Sequence, residues 1–195
     1  MNLSTTYFEK AGKVNTHQTL ELVRNASEIL KINTIVVAST TGDSALQAAS
    51  MFKDDPIRLI IVKHMDGFSH PGNEFSIDIH NEILRLRPST LFYTGTHAFA
   101  GLERTFRIEN ISQTMLPIEM IAITLRRCFG EGTKVTLEIA LMVADAGLLE
   151  NIEQEIITVA GTGRGLDTAW IVTPSYTNKL FDLKMKAPIC KPINF

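Results

Sequence analysis

Cysteine is scarce in this sequence. Its 195 residues include two cysteines, Cys128 and Cys190, which lie far apart and outside any CxxC spacing. A disulfide framework needs more cysteines than this, and so does a cysteine-rich metal site. The scarcity therefore argues against both, indicates a protein of the reducing cytosol, and leads us to expect no metal.

Long apolar runs and an excess of charge are also missing. The most apolar stretches, such as residues 59–62 and 139–144, are far too short to cross a bilayer. Residues 1–10 lack the basic and then apolar pattern of a secretory signal. The formal net charge of −2 gives no reason to expect nucleic acid as a partner. We therefore expect a cytoplasmic protein with neither a membrane nor a nucleic-acid partner, in which any anion site is a local arrangement.

What the sequence does contain is an alternation of short β-branched runs and helical segments. No repeat or linker divides it, so residues 1–195 are expected to form a single domain. The five predicted strands are residues 34–38, 58–62, 90–93, 155–160 and 168–173, with a further edge strand at 181–185. The predicted helices are residues 43–52, 75–86, 118–129 and 134–146, preceded by one that follows Asn15, where Gln18 completes a capping box.

This alternation predicts an α/β fold with a mostly parallel sheet. The loop between the fourth and fifth strands is too short for a parallel crossover, so this pair is expected to be antiparallel. Ligands of open α/β sheets bind at the carboxyl ends of the strands, where the strand order switches. Candidate binding residues follow the first four strands: Ser39, Thr40, Thr41, Gly42 and Ser44; His64 and Gly67; Thr94, Thr96 and His97; and Gly161, Thr162, Gly163, Arg164 and Gly165.

The strongest of these segments is residues 39–44, which we call the hydroxyl turn. Gly42 lets the backbone approach a ligand closely, and the helix that follows directs unpaired amides at the same place. A phosphate there gains those amides, the helix dipole and several hydroxyl groups. The alternative is that Thr40 or Thr41 only caps the helix. The density of hydroxyl groups favours the phosphate.

Residues 161–165, the glycine hairpin, resemble a phosphate-binding loop. They lead into a strand and not a helix, so they are not the GxGxxG fingerprint of dinucleotide-binding proteins. One interpretation is a tight hairpin that needs positive φ at its glycines. The other is a loop in which Arg164 holds a phosphate through two hydrogen bonds. Both alternatives stay open.

His97 and His64 each follow a strand and are the candidate catalytic residues, although most loop histidines are only surface groups. Lys134 and Glu138 lie four residues apart in the last predicted helix. This spacing predicts an ordinary surface ion pair. No set of residues forms a recognisable catalytic unit, so an enzyme and a binding protein both remain open.

Five motifs are spread over nearly the whole chain. They are Tyr7-Phe8-Glu9-Lys10 with Gly12 and Asn15-Thr16, Val37-Ala38-Ser39-Thr40-Thr41-Gly42, Thr96-His97, the glycine hairpin with Asp167-Thr168, and the closing segment 178–192 with Phe181-Asp182-Leu183-Lys184. Together they resemble the small stand-alone proteins related to the pyruvate kinase C-terminal domain. Several motifs in combination make the resemblance fairly specific.

The resemblance implies a three-layer α/β/α sandwich with the central strand order 3-2-1-4-5 and an antiparallel last strand. This order places the hydroxyl turn beside the glycine hairpin. The family is associated with bound flavin mononucleotide (FMN) and has no settled reaction. In pyruvate kinase the corresponding turn holds a phosphate of an allosteric sugar bisphosphate, although a lysine often found there is absent here. The chain is too short for pyruvate kinase activity, because the catalytic barrel alone needs about 250 residues.

The leading hypothesis is an FMN-binding protein. Its phosphate site would comprise the hydroxyl turn, Arg164 and the backbone of the glycine hairpin, while His64, Thr96 and His97 face the ring or a substrate. One alternative is a regulatory module for a sugar phosphate or nucleotide, and another is a flavin-dependent oxidoreductase in which His97 or His64 manages protons. Apolar side chains in residues 115–129 lead us to expect a homo-oligomer.

Overall fold

A seven-stranded sheet forms the centre of the protein in the computed structural model, which describes residues 4–68, 74–109, 111 and 116–195. Its strands are β1 (Thr6–Phe8), β2 (Thr34–Ala38), β3 (Arg58–Val62), β4 (Leu91–Tyr93), β5 (Ile156–Ala160), β6 (Thr168–Thr173) and β7 (Lys184–Pro192). The helices in the described residues are α1 (Thr16–Leu30), α2 (Asp43–Met51), α3 (Ile77–Leu86), α4 (Glu103–Ile108), α5 (Pro117–Phe129) and α6 (Glu131–Asp145). Short 3-10 turns, Lys13–Asn15 and Thr177–Asp182, precede α1 and β7.

The strands lie in the order β1-β7-β6-β5-β2-β3-β4, and β6 alone runs against the direction of the others. The five predicted strands are β2 to β6, so the expected order 3-2-1-4-5 and the antiparallel fifth strand are confirmed for them. Two further strands, β7 and β1, extend the sheet beyond β6. The predicted edge strand at residues 181–185 is wrong, because the strand starts at Lys184 and β1 pairs with its outer side.

Successive side chains of the central strands face opposite layers of helices. In β2, Ile35 and Val37 pack in the same cluster as α1, α2 and α3, whereas Val36 packs with α5 and α6. All three side chains are fully buried. Burial on both faces is the reason why such strands read as continuous apolar runs. The three-layer α/β/α sandwich is thereby confirmed.

The start of α1 differs from the prediction. Asn15 ends a 3-10 turn, and its side chain makes no hydrogen bond to an α1 amide among the described residues. Asn15 Nδ2 instead donates to the carbonyl of Lys10 at 2.7 Å. The predicted capping box is therefore wrong, because the 3-10 turn turns the Asn15 side chain back toward the preceding loop.

The glycine hairpin packs tightly against the start of α1. The amide of Leu166 donates to Thr16 Oγ1 at 3.0 Å, and Gly165 has a φ of 79°. A Cβ atom on Gly165 would overlap the Cα atom of Lys13. Only glycine therefore fits where the hairpin crosses the chain ahead of α1.

Gly165→Ala is expected to destabilise the protein by about 3–4 kcal/mol, since it adds a steric overlap to the cost of a left-handed backbone. Gly163 is the matched control, because it has the same φ of 79° but open space around the position of a Cβ atom. Gly163→Ala should cost only about 1–2 kcal/mol. Urea unfolding of both variants measures the difference, and equal losses would show that Gly165 does not make this close contact.

Helix α5 carries several exposed apolar side chains. Met120 is 51% exposed and Phe129 is 50% exposed, and Ile121 lies between them on the same helix. Met115, part of the segment expected to pair subunits, lies outside the described residues. The homo-oligomer stays a prediction. Of the helices in the described part of the chain, none has both the length and the apolar character needed to cross a bilayer.

Candidate functional site

A cavity of about 750 Å³, the outer cavity, lies at the carboxyl ends of β2 and β5. These strands are parallel neighbours, but the chain leaves β2 toward β3 and reaches β5 only later, on the other side of β2. The strand order therefore switches between them, which is where ligands of open α/β sheets bind. The candidate residues that line the cavity are Ser39, Thr40, Thr41, Ser44, His64, Gly161, Gly163, Arg164 and Gly165.

The hydroxyl turn forms one wall of the outer cavity. Ser39 Oγ accepts a hydrogen bond from the amide of Ala45 at 3.3 Å, and Thr40 Oγ1 lies 3.2 Å from His64 Nε2. Among the described residues, neither Thr40 nor Thr41 binds an amide of α2 through its side chain, so the alternative that one of them caps the helix is wrong. The first amides of a helix have no acceptor within it. In α2 these first amides include those of Asp43 and Ser44, and both residues line the cavity.

Gly42 has a packing role where a role in ligand approach was expected. Its φ is 108°, and a Cβ atom on it would lie 2.8 Å from Cγ2 of Ile79 in α3. The residue does not line the outer cavity. Glycine is needed here because the turn packs directly against α3.

The glycine hairpin forms the facing part of the lining and is held by the buried Asp167. Asp167 Oδ2 accepts hydrogen bonds from the amides of Gly12 at 2.7 Å and Thr162 at 3.1 Å, and Oδ1 accepts from Thr168 Oγ1 at 2.7 Å. Thr162 does not line the cavity, whereas Arg164 does. The two interpretations of this segment are therefore compatible, because a tight hairpin with positive φ at its glycines also brings Arg164 to the cavity.

The outer cavity has no excess of positive charge. Lys13 and Arg164 line it together with Asp43, Glu74 and Glu131. Lys13 Nζ lies 3.4 Å from Asp43 Oδ2, and both side chains are more than half exposed. Binding of an anion in this cavity would therefore depend on local hydrogen-bond donors, as the net charge of −2 leads us to expect.

A second space of about 220 Å³, the inner chamber, shares the polar residues Ser39, Thr40, His64 and Glu131 with the outer cavity. Its further polar and aromatic walls are Lys63, Phe68, His97, Arg126, Lys134 and Glu138. The remaining candidate residues Gly67, Thr94 and Thr96 line neither space. Of the candidate residues in the loops after β3 and β4, His64 and His97 are therefore the ones that line a space.

The two candidate catalytic histidines meet in the inner chamber. Their ring centroids are 5.0 Å apart, and Phe68 packs against both rings. Burial lowers the pKa of His97 to about 4 and also lowers the pKa of His64, so both imidazoles are neutral at pH 7. His97 Nε2 accepts a hydrogen bond from the amide of Met65 at 3.4 Å, which leaves the proton of the neutral ring on Nδ1.

Lys134 and Glu138 form a buried ion pair in the same chamber. Lys134 Nζ lies 2.5 Å from Glu138 Oε2, and the side chains are only 5% and 6% exposed. Glu138 Oε1 also accepts a hydrogen bond from the amide of Phe99 at 2.8 Å. The prediction of a surface pair is wrong, because α6 is covered by the sheet on one side and by α5 on another. Residues 139–144 carry no polar side chain, and that was the available signal of a buried helix.

No model of a known protein family matches this chain. Within the described part of the chain, no group of three or more His, Cys, Asp or Glu side chains is arranged to hold a metal ion. The groups available for binding or catalysis are therefore those that line the two spaces. The outer cavity presents amides, hydroxyl groups and a guanidinium group, and the inner chamber presents neutral imidazoles beside an ion pair.

Lys134→Met is expected to destabilise the protein by about 3–5 kcal/mol, because it leaves the Glu138 carboxylate buried without its cation. Adding Glu138→Gln should restore most of this loss, since the amide oxygen still accepts from Phe99 and no charge stays buried. Lys13→Met, which breaks an exposed pair, should cost under about 1 kcal/mol. Urea unfolding of the wild type, Lys134→Met, Glu138→Gln, the double variant and Lys13→Met measures the coupling, and strictly additive losses from the two single variants would contradict a buried pair.

The stability of the protein should fall in acid because of His97. The folded protein lowers the pKa of His97 from 6.5 to about 4, so the unfolded chain binds the proton more readily. The stabilisation is complete above pH 6.5 and is lost as the pH falls toward 4, by up to ~3 kcal/mol. In His97→Gln this part of the pH dependence should disappear, whereas His17→Gln, at an exposed position, should retain it. Parallel curves of unfolding free energy against pH for wild type and His97→Gln would refute this.

Proposed function

We propose that this chain binds a phosphorylated ligand at the carboxyl ends of its strands, and that the ligand is FMN. The observation that carries the proposal is the outer cavity, which the hydroxyl turn and Arg164 line together. They belong to segments that follow neighbouring strands and are far apart in sequence. Two segments whose hydrogen-bond donors suit a phosphate thus line one space.

The physical chemistry of the turn suits a phosphate. A phosphate oxygen near the start of α2 would accept hydrogen bonds from first-turn amides and gain from the positive end of the helix dipole. Thr41 and Ser44 offer hydroxyl groups in the same wall. Arg164 adds charge-assisted hydrogen bonds, which are about twice as strong as neutral ones.

The size and composition of the site fit FMN as a whole. Pockets for cofactors and drug-sized ligands measure roughly 300–1,000 Å³, and the outer cavity holds about 750 Å³. The resemblance to proteins that are associated with FMN points to the same ligand. Bound FMN would supply a ring that accepts and donates electrons, while His64 and His97 would lie beside it as neutral hydrogen-bonding groups.

A flavin-dependent oxidoreductase is the second candidate. It is favoured by the inner chamber, where His64, His97 and the Lys134–Glu138 pair lie together next to the outer cavity. Such groups can position a substrate and exchange protons with it. Consumption of NAD(P)H by the FMN-loaded protein, abolished in His97→Gln, would distinguish this enzyme from a binding protein.

Arg164→Ala should weaken FMN binding about 10- to 100-fold, because it removes a charge-assisted contact to the phosphate. Quenching of flavin fluorescence during titration measures the affinity. Arg85→Ala is the matched control, since Arg85 is exposed in the last turn of α3 and lines neither space. It should bind FMN like the wild type.

The outcome for wild-type protein decides between the ligands. FMN binding that riboflavin, which lacks the phosphate, does not match would support the proposal. Thermal stabilisation by sugar phosphates or nucleotides without a preference for FMN would favour the regulatory module. Absence of any stabilisation by phosphorylated compounds would overturn the proposed function.

A further inference from the structure

Three apolar side chains interrupt the polar lining of the outer cavity. They are Ala38 at the end of β2, Ile79 in α3 and Val135 in α6, and we call them the apolar wall. The other residues of the described lining are glycines or carry polar or charged side chains. Each residue of the apolar wall is only partly buried, so each keeps surface that a ligand can cover. Covering it is favourable, because apolar area is then removed from water.

The apolar wall has two sides that belong to different layers of the fold. Ile79 packs with the cluster of α1, α2 and α3, whereas Ala38 and Val135 pack with the cluster of α5 and α6. The sheet separates these layers, and the outer cavity lies at the ends of its strands. A group that enters the cavity between the layers can therefore contact apolar side chains on both of its faces.

Ile79 is held in position by the hydroxyl turn. A Cβ atom on Gly42 would lie 2.8 Å from Ile79 Cγ2, so the turn packs directly against this side chain. The amide of Ile79 also donates to Ser76 Oγ at 3.3 Å, which fixes the first turn of α3. The turn proposed to bind the phosphate thus also sets the position of one side of the apolar wall.

The other side of the apolar wall lies where the two spaces meet. Ala38 and Val135 line the inner chamber as well as the outer cavity, together with Ser39, Thr40 and His64. The outer cavity holds about 750 Å³ and the inner chamber about 220 Å³. An extended ring system that contacts Ala38 and Val135 would therefore lie at this junction, beside the hydroxyl turn.

We infer that the apolar wall binds the flat ring system of the ligand, with Ile79 on one face of the ring and Ala38 and Val135 on the other. The inference rests on the proposed binding of FMN. A flavin ring is flat and presents an apolar face on either side, whereas a sugar presents hydroxyl groups in most directions. The apolar wall thus selects the phosphate ester of a large ring compound over a sugar phosphate.

Two variants and two ligands test this contact. Ile79→Ala and Val135→Ala should each weaken FMN binding about fivefold or more, because they remove apolar surface that the ring would cover. Ribitol 5-phosphate is the phosphate arm of FMN without its ring, and its affinity should change by less than about twofold. Quenching of flavin fluorescence measures the binding of FMN, and competition with FMN measures that of ribitol 5-phosphate.

Ile77→Ala is the matched control for Ile79→Ala, since Ile77 lies in the same helix, is 67% exposed and lines neither space. It should bind both ligands like the wild type. Thr41→Ala, in the hydroxyl turn, should weaken both ligands by the same factor. Equal losses for the two ligands in Ile79→Ala and Val135→Ala, or an unchanged affinity for FMN, would overturn the inference. Failure of the wild type to bind FMN at all would instead refute the proposed function, so the two failures are distinct.

Discussion

The buried ion pair between Lys134 and Glu138 holds the inner part of the site together. Lys134 Nζ and Glu138 Oε2 are 2.5 Å apart, and Glu138 Oε1 accepts a hydrogen bond from the amide of Phe99. Phe99 lies two residues after His97, whose ring in turn accepts from the amide of Met65. These two polar contacts, and the short stretch of chain between Phe99 and His97, thus join α6 to the loops after β4 and β3. Buried ion pairs need further hydrogen bonds to satisfy their remaining atoms, and here the amide of Phe99 supplies one to the second oxygen of Glu138. The shape of the chamber depends on it.

The outer cavity depends on a different constraint, the reversal of β6. In a fully parallel sheet the chain leaving β5 would enter a helix that covers one face. Here it turns back within a short hairpin, so β6 starts at the same edge where β5 ends. The hairpin therefore stays beside the hydroxyl turn, where Asp167 and the start of α1 hold it in place. A short connection leaves room for a ligand where a crossover helix would otherwise lie.

The predictable parts of this structure are those decided by local pattern. Residues 34–38 and 58–62 are buried on both faces, so their apolar runs predicted the central strands correctly. β7 was predicted too early, at residues 181–185, because Lys184–Pro192 mixes charged residues with prolines and only its pairing with β1 and β6 makes it a strand. In the site, the gathering of candidate residues at the carboxyl ends of the strands was predictable from the strand order. The buried state of Lys134 and Glu138 was not, because their four-residue spacing is the same on a surface helix and on a covered one.

The charges around the outer cavity narrow the class of ligand. Asp43, Glu74 and Glu131 stand in its lining beside Lys13 and Arg164, so several phosphate groups together would meet repulsion as well as attraction. A single phosphate near the start of α2 would interact chiefly with neutral donors and with Arg164, and it would need no cationic surface. In the inner chamber two of the three lining cations, Arg126 and Lys134, are already paired with carboxylates, which leaves Lys63. The charges that line the two spaces therefore favour a long ligand that carries one phosphate at one end and is otherwise largely uncharged. A flavin mononucleotide has that distribution of charge, whereas a nucleoside triphosphate or a sugar bisphosphate does not.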